Sequence, residues 1–207
     1  MVEATKNFGQ LATDESINKA KDALTKNGIE VFVLESGAKA KEKVLQMIPG
    51  GAETMNMSSV TVDSIGLAKE INESGTYNSV RKKFATMDRA TQGLEMQKLG
   101  AAPEWTVGSV HAVTEDGKVI IASQTGSQLP SYAFGSSHVV WVVGSQKIVK
   151  DLDEGMKRVY EYVLPLENER AMKAYGKGSN VSKLLIINKE ITPSRITMII
   201  VKEKLGF

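Results

Sequence analysis

The chain has 207 residues, 42% of them hydrophobic and 24% charged. That is enough apolar side chain to bury a sizeable core, and at roughly 150 residues per domain it excludes a large multidomain enzyme. Twenty-six Lys and Arg against 24 Asp and Glu leave a net charge of +2, without the clustered surplus of cations that nucleic acid or an anionic membrane surface requires. Cysteine is absent, which excludes disulfides, thiolate catalysis, cysteine-ligated zinc and iron–sulfur clusters held by this chain.

Residues 1–10 are polar, with Glu3 and Lys6 and no apolar stretch of the signal-peptide kind. The longest apolar runs, 139–143 and 196–201, fall far short of the roughly 20 residues that cross a bilayer, so a cytoplasmic location is expected. No spacer, like-charge run or internal repeat interrupts the sequence. One domain over 1–207 follows, with helices of 1–100 packing on a core sheet formed largely by 101–207.

Taken in chain order, helical and strand-like segments alternate, which is the pattern of an α/β fold. Thr13 or Asp14 opens a helix through Ile17, Ala20 and Leu24, and Gly28 stands at its stop. Residues 29–34 read as a β-branched strand and 36–47 as a helix. Pro49, Gly50 and Gly51 break the chain before a short strand at 53–57. Ser58 or Ser59 then caps a helix through Ile65, Ala68 and Ile71. Another helix is expected over 89–99, ending at Gly100.

From Trp105 the period changes. Residues 106–113 have period-two character, Glu115, Asp116 and Gly117 supply turn chemistry, and 118–123 resumes as a strand, which predicts a hairpin. Residues 139–143 form a continuous apolar run, as expected of a strand covered on both faces. Asp151 and Glu154 form a capping box for a long helix that Pro165 is expected to kink or interrupt. Two strands, 184–188 and 196–201, are joined through the turn at Pro193 and Ser194.

Three loops past strand ends concentrate glycine and polar residues: Gly108, Ser109 and His111; Thr125, Gly126, Ser127 and Gln128; and Gly144, Gln146 and Lys147. In an open α/β sheet, ligands settle outside the carboxyl ends of strands. Small residues there let backbone approach a ligand, and free amides favour anions. The same residues also serve as ordinary turns, and none of the loops is a dinucleotide or P-loop fingerprint. Lys147 and Arg195 are candidates to supply charge. The two histidines have no metal-ligand spacing; His111, on the strand face of Ser109, is the better functional candidate, and His138 is read as an edge residue. His111 and Glu115 are the candidate catalytic groups. Glu115 and Asp116 are strand neighbours pointing to opposite faces, so they are not an acid/base pair. No serine sits in a G-x-S-x-G elbow. Glu167 and Arg170, at i,i+3, are set to pair on one helix face. Trp105 and Trp141 are read as core.

Several strings together resemble the LUD (lactate utilization domain) family: 81–84, 87–91 and Gly108; 112–117; 125–128; 142–149; and 195–207. The resemblance implies a three-layer α/β/α fold with a mostly parallel central sheet, similar to the sugar-phosphate isomerase and CoA-transferase superfamily. It also implies a link to bacterial oxidation of lactate to pyruvate beside iron–sulfur oxidoreductase partners, any cluster belonging to the partner. Two positions depart from the family's pattern. Gln124 stands where transferases of similar fold place a glutamate, and an amide cannot attack an acyl group as a carboxylate does. The segment 175–187 lacks the cysteines of some relatives. The expectation is a protein that binds a small anionic metabolite without a cofactor or metal, in a pocket among Gly108, Ser109, His111, Thr125, Gly126, Ser127, Gln128, Gly144, Gln146, Lys147 and Arg195. The alternatives are a transferase or isomerase acting on a CoA-linked or phosphorylated small molecule, and a non-enzymatic structural or regulatory subunit.

Overall fold

The computed structural model describes residues 6–207. The first helix, α1 (Asp14–Lys26), buries Ile17, Ala20 and Leu24 along one stripe. Thr13 starts it by accepting the Ser16 N–H at 3.2 Å, which satisfies one of the amides a helix leaves free at its start. Gly28, at φ +83°, turns the chain into β1 (Glu30–Leu34). A Cβ there would lie 2.0 Å from the Glu190 carbonyl oxygen, so the position admits only glycine.

Six strands form the central sheet: β1, β2 (Glu53–Asn56), β3 (Asn78–Ser79), β4 (Trp105–Gly108), β7 (His138–Gly144) and β10 (Ile196–Val201), in the order β1-β10-β7-β4-β2-β3. Every pairing in it is parallel. The continuous apolar run of β7 explains its central place, because both of its faces are covered. Val139, Trp141 and Val143 meet α1 together with Met198 and Ile200. Val140 and Val142 face the opposite way, toward α2 (Gly37–Met47), α3 (Val60–Ser64) and α4 (Leu67–Glu73), alongside Ile199 and Val201. Each such side chain withdrawn from water contributes about 1.5–3 kcal/mol. The structure is therefore an α/β fold with helices on both faces of a parallel sheet.

A second sheet lies on the α1 side. It contains β5 (Ala112–Thr114), β6 (Val119–Ser123), β8 (Ile148–Val149) and β9 (Lys183–Ile187) in the order β8-β5-β6-β9. Val113, Val119 and Ile121 join the α1 core. Ala112, Ile120 and Ala122 point the other way, toward Val159, which belongs to the helical stretch 152–175. That stretch runs as α7 (Leu152–Lys157), a π-helical segment (Arg158–Val163) and α8 (Leu164–Tyr175). Two further helices, α5 (Val80–Phe84) and α6 (Arg89–Ala101), follow β3.

Most expected boundaries hold. Ser36, Ser59, Asp88 and Asp151 cap α2, α3, α6 and α7, and the hairpin of β5 and β6 turns at Gly117, φ +83°. Two expectations are corrected. The period-two stretch 106–113 is two strands in different sheets, parted at Ser109 and Val110. The helix expected through Ile71 breaks at Gly66, φ +67°, into α3 and α4. The α-helical run is interrupted next to Pro165, which follows the π segment within the first turn of α8. Residues 1–100 supply three of the six central strands, and 101–207 supply the other three and all four strands of the second sheet. Among the described residues no helix is long and apolar enough to cross a membrane.

Candidate functional site

β2, β4 and β7 are neighbours in the middle of the parallel sheet, so the segments that leave their carboxyl ends emerge side by side. Between that edge, the loop after β6 and the helical stretch 152–175 lies a cavity of about 600 Å³. Its walls are Asn56 to Thr61, Ser109 to His111, Ala122 to Thr125, Ser127, Gln128 and Lys147. Leu164, Glu167, Arg170 and Tyr175 close it from the helix, and Phe207 also reaches it.

Lys147 is 3% exposed. Its Nζ lies 3.0 Å from Thr61 Oγ1, 3.0 Å from Ser109 Oγ and 3.2 Å from the Val110 carbonyl oxygen. Among the described residues no carboxylate forms an ion pair with it. Burial, with Arg158 as a second cation nearby, holds its ammonium well below the usual lysine range. Arg158 is fully buried. It donates from Nε to the Gln146 carbonyl at 3.3 Å and from Nη1 to the His111 carbonyl, while its Nη2 has no partner among the described residues. Burial brings its pKa down to about 10.

His111 Nδ1 accepts the Ala122 N–H at 3.1 Å, so the ring proton resides on Nε2. Burial, then Lys147 and Arg158, lower its pKa to about 3, and the imidazole is neutral near pH 7. It can donate but does not carry charge.

On the opposite wall, Arg81 donates from Nε to the Asn56 carbonyl at 2.8 Å and from Nη2 to Ser58 Oγ at 2.9 Å. Among the described residues it has no carboxylate partner at hydrogen-bond distance. Burial lowers its pKa, and Asp63 is the largest effect opposing this; burial in turn raises that of Asp63. The Asn56 side chain is 4% exposed, and its Oδ1 has no partner among the described residues. An acceptor held unpaired on a cavity wall costs free energy that a ligand's O–H or N–H group would recover. Arg170 and Glu167 form a bidentate pair, both contacts at 2.7 Å, and so largely cancel each other's charge.

The family pattern described as LUD domain matches residues 17–201 of the chain. The chain belongs to the LUD domain family. Among solved structures it is similar to a duf162 family protein from Deinococcus radiodurans, with TM-score 0.56 and 12% identity over 93% of this chain and 99% of that one. At that identity the likeness is one of fold. A weaker similarity, to eIF2B beta from Chaetomium thermophilum, has TM-score 0.37 and 12% identity over 68% of this chain and 46% of that one. No curated protein matches the sequence.

Within this LUD domain the three glycine-bearing loops do meet at one cavity, but their glycines do not line it. A Cβ on Gly108 would sit 1.8 Å from Tyr132 Oη, and one on Gly144 would sit 2.2 Å from Gln146 Oε1. These positions make room for side chains of the protein rather than for a ligand. Gly126, at φ +86°, shapes the loop that presents Thr125 and Ser127. Ser109, His111, Thr125, Ser127, Gln128 and Lys147 all face the cavity, as does Gln124, whose Nε2 donates to the Gly178 carbonyl at 3.3 Å.

Three candidates lie elsewhere. Gln146 is 2% exposed and spends its amide on the Leu205 carbonyl at 2.9 Å. Glu115 lies on the hairpin turn beside α1 and accepts from Ser16 Oγ at 2.7 Å. Arg195 precedes β10, at the amino edge of the sheet, where it pairs with Glu190 at 2.7 Å and donates to the carbonyls of Ser136, Tyr132 and Ala133. Sequence reasoning misses Arg81, Asn56 and Thr61 on the cavity wall, and Arg158 buried behind it. Arg81 alone carried a signal, since it opens the family-like string 81–84.

Proposed function

We propose that this LUD domain binds a small anionic metabolite in the cavity: a hydroxy- or keto-acid, or a phosphorylated or CoA-like group. The observation that carries the reading is Arg81, a guanidinium on the cavity wall whose hydrogen-bond partners are a carbonyl and a hydroxyl. A ligand carboxylate or phosphate would give it the bidentate partner that the chain does not. The hydroxyls of Ser58, Ser59, Ser123 and Thr125 supply neutral contacts around such a group.

Membership in the family supports a finer reading, that of an accessory subunit in lactate oxidation to pyruvate beside iron–sulfur partners in the cytoplasm. The parallel sheet with its site at the carboxyl edge supports kinship with the sugar-phosphate isomerases and CoA transferases. Gln124 on the cavity wall argues against a carboxylate-based acyl transfer of the CoA-transferase type.

Thermal unfolding against lactate, pyruvate, CoA and sugar phosphates tests the reading. A ligand present at ~100 times its Kd stabilises by ~2.7 kcal/mol, and Arg81→Met is expected to abolish that gain. No shift with any of these anions at millimolar concentration would contradict it.

A further inference from the structure

We propose that Ser109 and Lys147 form a nucleophile–base pair that splits carboxylic esters or thioesters of small acids through an acyl-serine. The choice of an anionic acyl part rests on the Arg81 site above; the pair itself does not.

The geometry that carries the proposal is the set of partners around one nitrogen. Lys147 Nζ has three: Thr61 Oγ1, Ser109 Oγ and the Val110 carbonyl oxygen. The carbonyl can only accept. The Thr61 hydroxyl donates its own proton to the Leu205 carbonyl at 3.0 Å, so toward lysine it too can only accept. A neutral amine has two N–H groups and one lone pair. The two N–H groups match Val110 and Thr61, and the lone pair is left for the single remaining partner, Ser109. Of the three, Ser109 alone can donate to it. The neutral amine is therefore satisfied with the serine proton pointing at its lone pair, which is the arrangement general-base activation of a hydroxyl requires.

The surroundings favour that neutral form. No carboxylate forms an ion pair with Lys147 among the described residues, Arg158 lies behind it, and His111 beside it is uncharged. The other charged side chains lining the cavity are Arg81, Asp63 and the mutually paired Glu167 and Arg170. A donor for a developing oxyanion is present on the cavity wall in His111 Nε2–H.

The step balances without a further reagent. Ser109 Oγ forms a bond to the acyl carbon as its proton passes to Lys147. The bond to the leaving thiolate or alkoxide breaks, and that group takes the proton from Lys147. Water, deprotonated by Lys147, then releases the free acid and restores the serine.

The test is peptide mass analysis of the protein after treatment with a fluorophosphonate, an uncharged probe that does not depend on Arg81, at pH 7 and pH 9. One phosphonyl adduct on Ser109 is expected, forming faster at the higher pH and absent from Ser109→Ala. In Lys147→Met and Lys147→Arg the rate should fall about 100-fold or more; arginine keeps the donors but has no usable lone pair, so it controls for folding if methionine disrupts the chain. No adduct on Ser109, or an adduct forming equally fast in Lys147→Arg, overturns the proposal. An adduct without any anion-induced thermal shift would uphold the pair and overturn the Arg81 reading.

Discussion

The two edges of the central sheet treat buried cations in opposite ways. At the amino edge, Arg195 and Glu190 are 8% and 9% exposed at the side chain and pair at 2.7 Å, and three carbonyls take up further N–H groups. At the carboxyl edge, Lys147 and Arg158 are as deeply buried, yet among the described residues they meet hydroxyls, carbonyls and the Tyr162 ring, and no carboxylate. A matched buried charge is a strut, because the desolvation cost is offset within the chain. An unmatched one keeps its cost as a bias toward an anion, or toward losing its proton. The difference sets the edge held by an internal ion pair apart from the edge proposed to bind an anion, without reference to any relative.

Breaking the strut should give the largest effect. Glu190→Ala leaves Arg195 charged and buried, and a loss of about 3–5 kcal/mol in urea unfolding is expected, with anion binding retained in the folded fraction. A loss within experimental scatter would place Arg195 among exposed cations. Next comes Gly108→Ala, whose new methyl meets Tyr132 Oη. Overpacking should cost about 1–3 kcal/mol, and adding Tyr132→Phe should recover part of it. No recovery would mean that the glycine serves something other than that contact.

The carboxyl edge should also show in pH. The folded pKa of His111, about 3, lies below its ordinary value near 6.5, so between these values the unfolded chain binds the extra proton. Stability is fully present above about pH 6.5 and falls on acidification, by at most ~1.4 kcal/mol per pH unit from this group. His111→Gln should flatten that limb of the stability curve; an unchanged slope would assign the acid loss to other groups. The smallest effect belongs to Glu115→Gln, on the hairpin turn away from the cavity: within about 0.5 kcal/mol and without change in ligand response.

β7 and β10 are legible because a strand buried on both faces is predominantly apolar, as 139–143 is throughout and 196–201 is but for Thr197. The β5–β6 hairpin was readable from its Asp116–Gly117 turn, and the caps from Ser and Asp placed before apolar periods. Alternation in 106–113 was not enough to show that two sheets share it, since period two reports which face a residue takes and not which strand it pairs with. Glycine was read as space for a ligand, whereas at 108 and 144 the space holds Tyr132 and Gln146. Arg195 was placed at the site because it flanks a strand; in a parallel sheet, the residue before a strand belongs to the edge opposite the ligands. Arg81 follows β3 directly, at the correct edge, but β3 is two residues long and has no pattern by which to recognise it.

Isothermal titration of the LUD domain with the anion giving the largest thermal shift, repeated on Arg81→Met and on Glu190→Gln, tests the central claim most directly. Binding to the wild type and to Glu190→Gln, weakened at least about tenfold in Arg81→Met, is the predicted result. Equal affinity in Arg81→Met and wild type would contradict it.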